Sequence, residues 1–468
     1  MKKIGGFVMI QKAHSRDMIE GVIWKQILKF FFPIMLGTVF QQLYNTVDAI
    51  VVGRYAGKVA LAAVGGPTSY LVNLLVNFFV GITSGATVVI AQFFGMEDPE
   101  RTEKAVHTSM ALSLWAGLAF SVLGVLIAGP ALRAMNTPSE VLPHATAYLQ
   151  IFYGGLLFSF VYNMGSSVLR AKGDSKRPFY LLVAATCTNI IGDVVLVIYC
   201  GMGVAGAAWA TIVSQLVSAA GVVWFLVRES GEFRLDLSRA WKFDWLILQN
   251  VVRIGVPSGI QSALFSVSNI VIQSAINSFG VDTVAAFATY GKIDHLFWMI
   301  LTALGVSVST VVGQNFGARK YDRVMRAVYV TMGYAFAASL LFGFGQAVFI
   351  EPLFRIFTDD AAVISIGAEI TWIMSPLYFV YVPIVALAGG MRGCGDSIVP
   401  TAATATGICG LRLTWVWFVL PFFHSFRTLA IGYPVSWGLT SVFFLIYHWK
   451  GRWLERSIVR AGHRAAQQ

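Results

Sequence analysis

The chain has 468 residues, of which 57% are hydrophobic and only 12% charged, and its mean hydropathy is +0.70. Soluble domains carry about 25% charged residues, so a soluble enzyme or binding module is excluded before any motif is read. The formal net charge of +11 does not point to nucleic acid, because the basic residues lie in short segments between apolar runs and not on one solvated patch.

Residues 1–25 form a basic leading segment. Its apolar piece, 4–10, is too short for a signal-peptide core and has no small-residue cleavage pattern after it, so the segment is expected to stay on the protein, with Met1 and Met9 both acceptable starts. Apolar windows of about twenty residues, the length that crosses a hydrocarbon core of about 30 Å, then recur near 26–52, 63–93, 106–130, 143–167, 179–200, 204–227, 246–278, 284–312, 327–350, 368–390, 399–421 and 428–449. The expected fold class is an all-α integral membrane protein of twelve transmembrane helices in two parallel six-helix repeats. Pro33, Pro257, Pro376 and Pro383 lie inside windows and mark places for bends. Assigned to the nearer span end, 27 Lys and Arg fall on the side holding both termini and 5 on the other, leaving Lys292 and Arg412 within spans. The positive-inside rule therefore puts both termini in the cytoplasm of a multi-pass inner-membrane protein. No loop is long enough for a soluble catalytic domain, and no phosphate-binding Gly-x-x-x-x-Gly-Lys-Ser/Thr loop is present, so the energy must come from a gradient or a partner. Cys187, Cys200, Cys394 and Cys409 show no metal-ligand spacing and read as packing residues.

A shift of 222 to 224 residues lays the second half on the first. Gln92, Phe94, Gly95, Arg101, Ala105 and Val106 meet Gln314, Phe316, Gly317, Arg323, Ala327 and Val328, while Arg170, Gly173, Asp174, Ser175 and Pro178 meet Arg392, Gly395, Asp396, Ser397 and Pro400. Each copy holds six spans and returns to the same side, so the copies are parallel repeats, an arrangement that places substrate between two rocking bundles. The division is a leading segment 1–25, an N-lobe 26–228, a linker 229–245, a C-lobe 246–449 and a basic tail 450–468. Arg170, Asp174, Arg392 and Asp396 have two readings, capped turns or cytoplasmic gate loops.

Ionisable groups at membrane depth cost about 2.5–3.5 kcal/mol on insertion scales, which makes each a functional candidate. Asp48 lies late in the first span; Asn189 and Asp193 share a face of the fifth at i and i+4; Thr211 in the sixth adds an oxygen. Two nearby carboxylates titrate as a unit, and the same oxygens suit a hard cation such as Na⁺. A helix-capping or hydrogen-bonded structural role is the plainer reading of these acids. In the second half Lys292, Asp294 and Arg412 are divided between charge balance and substrate contact, with Asp294 expected to pair with Arg412 or to stay near an interface and His295 a hydrogen-bonded bystander.

With Pro33, the run from Gln41 to Asp48, Val52-Gly-Arg54, Asn189 with Asp193, and the stretch from Gly203 to Thr211, the chain resembles the multidrug and toxic compound extrusion (MATE) transporters over nearly its whole length. The resemblance implies two six-helix lobes, a coupling-ion site at Asp48, Asn189, Asp193 and Thr211, and a bending first helix at Pro33. It implies no cofactor beyond H⁺ or Na⁺, and exchange of that ion for bulky, often cationic and aromatic compounds. The chain departs from NorM-type members in lacking acids in the seventh span, where Phe265 stands, and in the tenth, which has only Glu369 at its edge. Tyr44, Tyr70, Phe158, Tyr162, Phe265, Tyr290 and Phe297 are aromatic candidates for a substrate cavity that also takes in Lys292, Asp294 and Arg412. The expected partners are the lipid bilayer and small organic molecules, with no nucleic acid and a monomeric chain. The main rival is a flippase for lipid-linked oligosaccharide precursors, kept in view by Lys292 and Arg412; neither the clustered groups of an intramembrane enzyme nor the filter loops of a channel are evident.

Overall fold

The computed structural model describes residues 17–467, with side chains to residue 462, so the choice between Met1 and Met9 lies outside the described residues. In hydrocarbon every backbone N–H and C=O must be satisfied within its own segment, and the described residues are helical almost throughout. Ten helices of 22 to 37 residues are long and apolar enough to cross a bilayer. Leu142–Gly154 and Leu156–Lys172, bent by 47°, make an eleventh span. The twelfth is α2 (Ile23–Val51), 29 residues long with Pro33 inside it. Two short helices, Gly57–Gly65 and Ile350–Arg355, occupy connections that hydropathy alone leaves as loops.

The fold divides into two compact units, one of residues 32–259 and the other of residues 17–31 with 260–467. Both boundaries fall inside long helices, α2 and α10 (Trp245–Asn277), each within a few residues of a proline, Pro33 and Pro257, that removes one helical hydrogen bond.

In the 32–259 unit, α4 (Pro67–Gly95) meets the first half of α10 through paired small residues. A Cβ on Gly81 would sit 2.3 Å from the Gly259 nitrogen, and one on Gly85 would sit 2.6 Å from that of Gly255. Two glycines four apart on each helix thus allow backbone-to-backbone contact, the usual way membrane helices gain packing where no hydrophobic force distinguishes side chains from lipid. The linker does not hang free. His107 Nε2 accepts the Asp236 N–H at 2.9 Å, Thr108 Oγ1 accepts that of Asp244 at 3.0 Å, and Phe233 and Leu235 are buried.

In the other unit, Arg323 donates to the carbonyl of Gly21 at 2.7 Å and Asn315 to that of Met18 at 3.1 Å, seating the leading helix Asp17–Glu20. The tail forms α19 (Trp453–Gln467), anchored by buried Trp453, which donates to His448 Nδ1 at 2.9 Å, and by an ion pair of 2.9 Å between Arg460 and Asp396.

The repeated loops are built alike. Gly173 and Gly395 adopt φ of +101° and +84°, a left-handed turn open to glycine, and the next residue caps the following helix: Asp174 Oδ1 accepts the N–H groups of Lys176 and Arg177 at 3.0 and 3.1 Å. Each is also tied down by charge. Asp396 meets Arg460, whereas in the first half Lys172 (2.6 Å) and Arg177 both bind Glu229, whose side chain is only 1% exposed. Burial works to raise the Glu229 carboxyl, but Lys172 and Arg177 outweigh it and hold it below its ordinary 4.5. Glu229→Gln is therefore expected to cost about 2 kcal/mol at pH 7, measured by thermal unfolding of the purified protein, because it leaves two cations without their counter-charge. The contribution is fully present above about pH 4.5 and is lost as pH falls through the lower native value, so wild type and variant should converge in acid. A pH-independent gap would assign the loss to packing.

Candidate functional site

Within the 32–259 unit, three helices bring polar groups to one buried place. Asp48 stands near the end of α2, just before a π-helical turn, Val52–Ala56; Asp193 closes α8 (Lys176–Asp193) directly before another, Val194–Tyr199. Such wide turns loosen the i−4 ladder and recur at functional sites. Asn189 lies one turn before Asp193 on the same face, and Thr211 enters from α9 (Gly203–Arg228), which approaches closely because Gly192 faces Ala210, where an added Cβ would meet Ala210 Cβ at 2.9 Å. All four are buried, Asp193 to 0% and Asn189 to 1% exposure.

The hydrogen-bond account of this place does not close. Asp48 Oδ1, both side-chain polar atoms of Asn189 and both carboxylate oxygens of Asp193 are buried with no hydrogen-bond partner among the described residues. The two carboxylates are near enough for their charges to interact, and Tyr44 and Tyr148 lie in the same field, with the Tyr148 hydroxyl reaching Thr211. Buried polar groups are normally paired, and unpaired carboxylates are costly. A cluster of oxygen donors left open in this way can take a proton or a hard cation.

The second unit holds a different constellation. Asp294, on α11 (Val281–Gly317), accepts hydrogen bonds from the Tyr378 hydroxyl and from Trp298 Nε1 (2.7 Å). Tyr290 lies 2.8 Å from the Tyr378 hydroxyl, and Ser375 bonds Gln346 at 3.2 Å, so the acid is the end of a neutral hydroxyl and amide chain. Phe297 stacks on Tyr378 with ring centroids 4.1 Å apart. The expected pairing of Asp294 with Arg412 is not made: no carboxylate among the described residues lies within 4.0 Å of Arg412, because Tyr378 and Trp298 already occupy Asp294. Lys292 is exposed, with its ammonium 5.4 Å from the Phe357 ring centre, away from this cluster. Tyr70 is 48% exposed, Phe265 is half-buried, and Tyr162 donates to the Pro178 carbonyl at 3.2 Å. Arg170 bonds Ser167 at 2.9 Å and Arg392 lies near Tyr381, so neither faces either cluster's acids. Glu369, at the edge of the tenth span, pairs with Arg427.

A family model described as MatE matches residues 33–195 and again residues 257–418. The chain belongs to the MatE family. The double match is the internal duplication, and with it the twelve helices fall into two parallel six-helix repeats. The probable multidrug resistance protein YoeA of Bacillus subtilis is 27% identical over 447 residues, spanning 93% of this chain and 96% of YoeA. The FAD transporter of Shewanella oneidensis is 22% identical, spanning 74% of this chain and 77% of its own length. Among solved structures, an outward-facing multidrug resistance MATE family transporter superposes with a TM-score of 0.87 at 22% identity, covering 95% of this chain and 98% of its own. A MOP superfamily transporter from Pyrococcus furiosus, whose binding pocket is described as having reverse polarity, gives 0.86 at 22% identity over 92% of this chain and 96% of its own. This MatE chain is accordingly a multi-pass membrane transporter and not an enzyme.

Sequence reasoning missed Tyr148, Tyr378, Ser375 and Gln346. None of the four is charged at neutral pH; the polar signals present in the sequence are Gln346 within an apolar span and the Ser375-Pro376 step before Tyr378. If the open carboxylates are kept for function at a cost in stability, Asp193→Asn should raise the melting temperature of the purified MatE protein by an amount worth about 1 kcal/mol. A lowered melting temperature would show that Asp193 makes a stabilising contact instead.

Proposed function

We propose that this MatE chain is a cation-coupled antiporter of the cytoplasmic membrane, with both termini cytoplasmic, exporting bulky aromatic compounds, cationic ones among them, in exchange for H⁺ or Na⁺. The observation that carries this reading is the set of five unpartnered polar atoms on Asp48, Asn189 and Asp193. Oxygen donors of that hardness fit a proton or Na⁺, and the coupling ion is cargo, entering and leaving with each cycle.

Asp48 and Asp193 would hold the ion, Asn189 and Thr211 would complete its oxygen shell, and Tyr44 and Tyr148 would exclude bulk water. Occupancy removes the repulsion between the two carboxylates, so the ion stabilises whichever arrangement of α2, α8 and α9 brings them closest. An ion that binds one arrangement better shifts the population toward it, and by linkage a substrate that favours the other lowers the ion's affinity by the same factor. Exchange follows when the lobes, 26–228 and 246–449, alternate access across the membrane as a monomer. Pro33, at a unit boundary within α2, is the place where that helix yields most easily. The loops at Asp174 and Asp396, held by ion pairs, serve as cytoplasmic gates on this reading.

Flipping of a lipid-linked oligosaccharide precursor is the second reading, favoured by one observation, that buried Arg412 has no carboxylate partner among the described residues.

Ethidium efflux from everted vesicles, with H⁺ and Na⁺ gradients imposed separately, tests both. One gradient is expected to drive efflux in wild type, and Asp48→Asn to reduce the driven rate at least about tenfold while the protein still folds. Transport by folded protein under neither gradient would sink the antiporter and leave the lipid flippase; full efflux in the variant would remove Asp48 from coupling.

A further inference from the structure

We propose that Arg412, stacked on Tyr433 and held by Ser436 in the second repeat, is a recognition site for the carboxylate or phosphate group of an aromatic substrate.

The repeat itself points there. At the offset of 222 residues that superposes Arg170 on Arg392, Arg412 takes the place of Ile190, beside Asn189 and within one turn of Asp193, and Tyr433 takes the place of Thr211. The stretch of the repeat that in the first half carries open oxygens on Asn189 and Asp193 carries in the second a cation and, on the following helix, a ring. Both are framed by the same backbone feature. The π-helical turn Val194–Tyr199 begins directly after Asp193, and π-helical turns Ala405–Gly410 and Trp415–Val419 lie on either side of the short segment Leu411–Thr414 that carries Arg412.

The side chain is held and not spent. Arg412 is 8% exposed, its Nε donates to Ser436 Oγ at 3.1 Å, and its guanidinium carbon lies 4.2 Å from the Tyr433 ring centre and 5.9 Å from that of Trp437. Nη1 and Nη2 make no hydrogen bond to the described residues, yet they are not sealed inside packed protein. Asp294, near enough for its charge to be felt, is held by Tyr378 and Trp298.

A guanidinium does not shed its charge on burial, so an unpaired one at membrane depth is expensive unless something pairs with it. Its two terminal nitrogens form a planar fork matched to a carboxylate or a phosphate, and the ring beneath restricts it to one orientation before the ligand arrives. Half-buried Tyr433 and Tyr381 offer ring faces beside the fork. The anionic group would therefore be read by Arg412 and the aromatic body by these tyrosines, extending the substrate class to anionic and zwitterionic aromatic compounds. As a transport determinant the site rests on the exporter reading; as a binding site it does not.

The test uses three ligands with one ring: 2-naphthoate, 2-naphthyl phosphate and 2-naphthylmethylammonium, titrated calorimetrically into full-length protein in nanodiscs. Wild type is expected to favour one or both anions over the cation, and the preferred anion tells carboxylate from phosphate. Arg412→Gln should reduce the anion-to-cation affinity ratio at least about tenfold, a change that general loosening of the fold would not produce because it weakens all three ligands together. Should Arg412→Gln fail to fold, Arg412→Lys keeps the charge without the fork and is expected to lower the same ratio by a smaller factor. Wild-type binding blind to ligand charge, or an unchanged ratio in the folded variant, would overturn the assignment. Gradient-driven ethidium efflux is scored separately. Efflux with charge-blind binding removes the Arg412 site and keeps the exporter, whereas Arg412-dependent anion binding without efflux keeps the site and removes the exporter.

Discussion

A chain that crosses hydrocarbon has no water to satisfy its backbone, and most of this structure follows from that. Each crossing closes its own N–H···O=C ladder as a helix, and helices then associate by shape, since lipid is as apolar as leucine. The Gly81 and Gly85 face of α4 against the Gly255 and Gly259 face of α10 is the clearest case, with backbone meeting backbone at distances that any side chain would forbid. The π turns stand beside Asp48, Asp193 and Arg412, and two of the helix-interior prolines, Pro33 and Pro257, stand within a few residues of a unit boundary.

The same medium makes the partners of each buried charge decisive. Glu229 is buried but carries two cations, and nothing about it asks for a ligand. Asp294 is solvated by a phenol and an indole, a neutral solution to the same problem. Asp48, Asp193 and Arg412 have neither solution. A buried charge left open in a low-dielectric bundle is costly, and two of the three, Asp193 and Arg412, stand at adjoining places in the repeat.

Duplication preserved geometry more faithfully than chemistry. The left-handed glycines, Gly173 and Gly395, and the aspartates after them are common to both halves, because the turn and the cap admit few other residues. The partners that tie those turns down were rebuilt independently, Glu229 in one half and Arg460 from α19 in the other. Polarity within the spans diverged further, carboxylate and amide in the first repeat, guanidinium and phenol in the second.

Hydrophobic length determined the membrane class and the twelve crossings, and unchanged spacing between Arg170 and Pro178 and between Arg392 and Pro400 determined the duplication, since both are periodic properties that survive without knowledge of contacts. The face shared by Asn189 and Asp193 was legible for the same reason: helical spacing is a local fact. Which charges find partners was not. Asp294 and Arg412 look equally able to pair with each other in the sequence, and only the packing of α11 against the 3₁₀ stretch Ser375–Tyr381 gives Asp294 to Tyr378 and leaves Arg412 on the Tyr433 ring. The seating of residues 17–21 on Arg323 and of α19 on Asp396 was equally invisible, because contacts between segments some 300 or 60 residues apart leave no periodic trace. Sequence sets what each segment must bury; tertiary structure decides which buried group meets which.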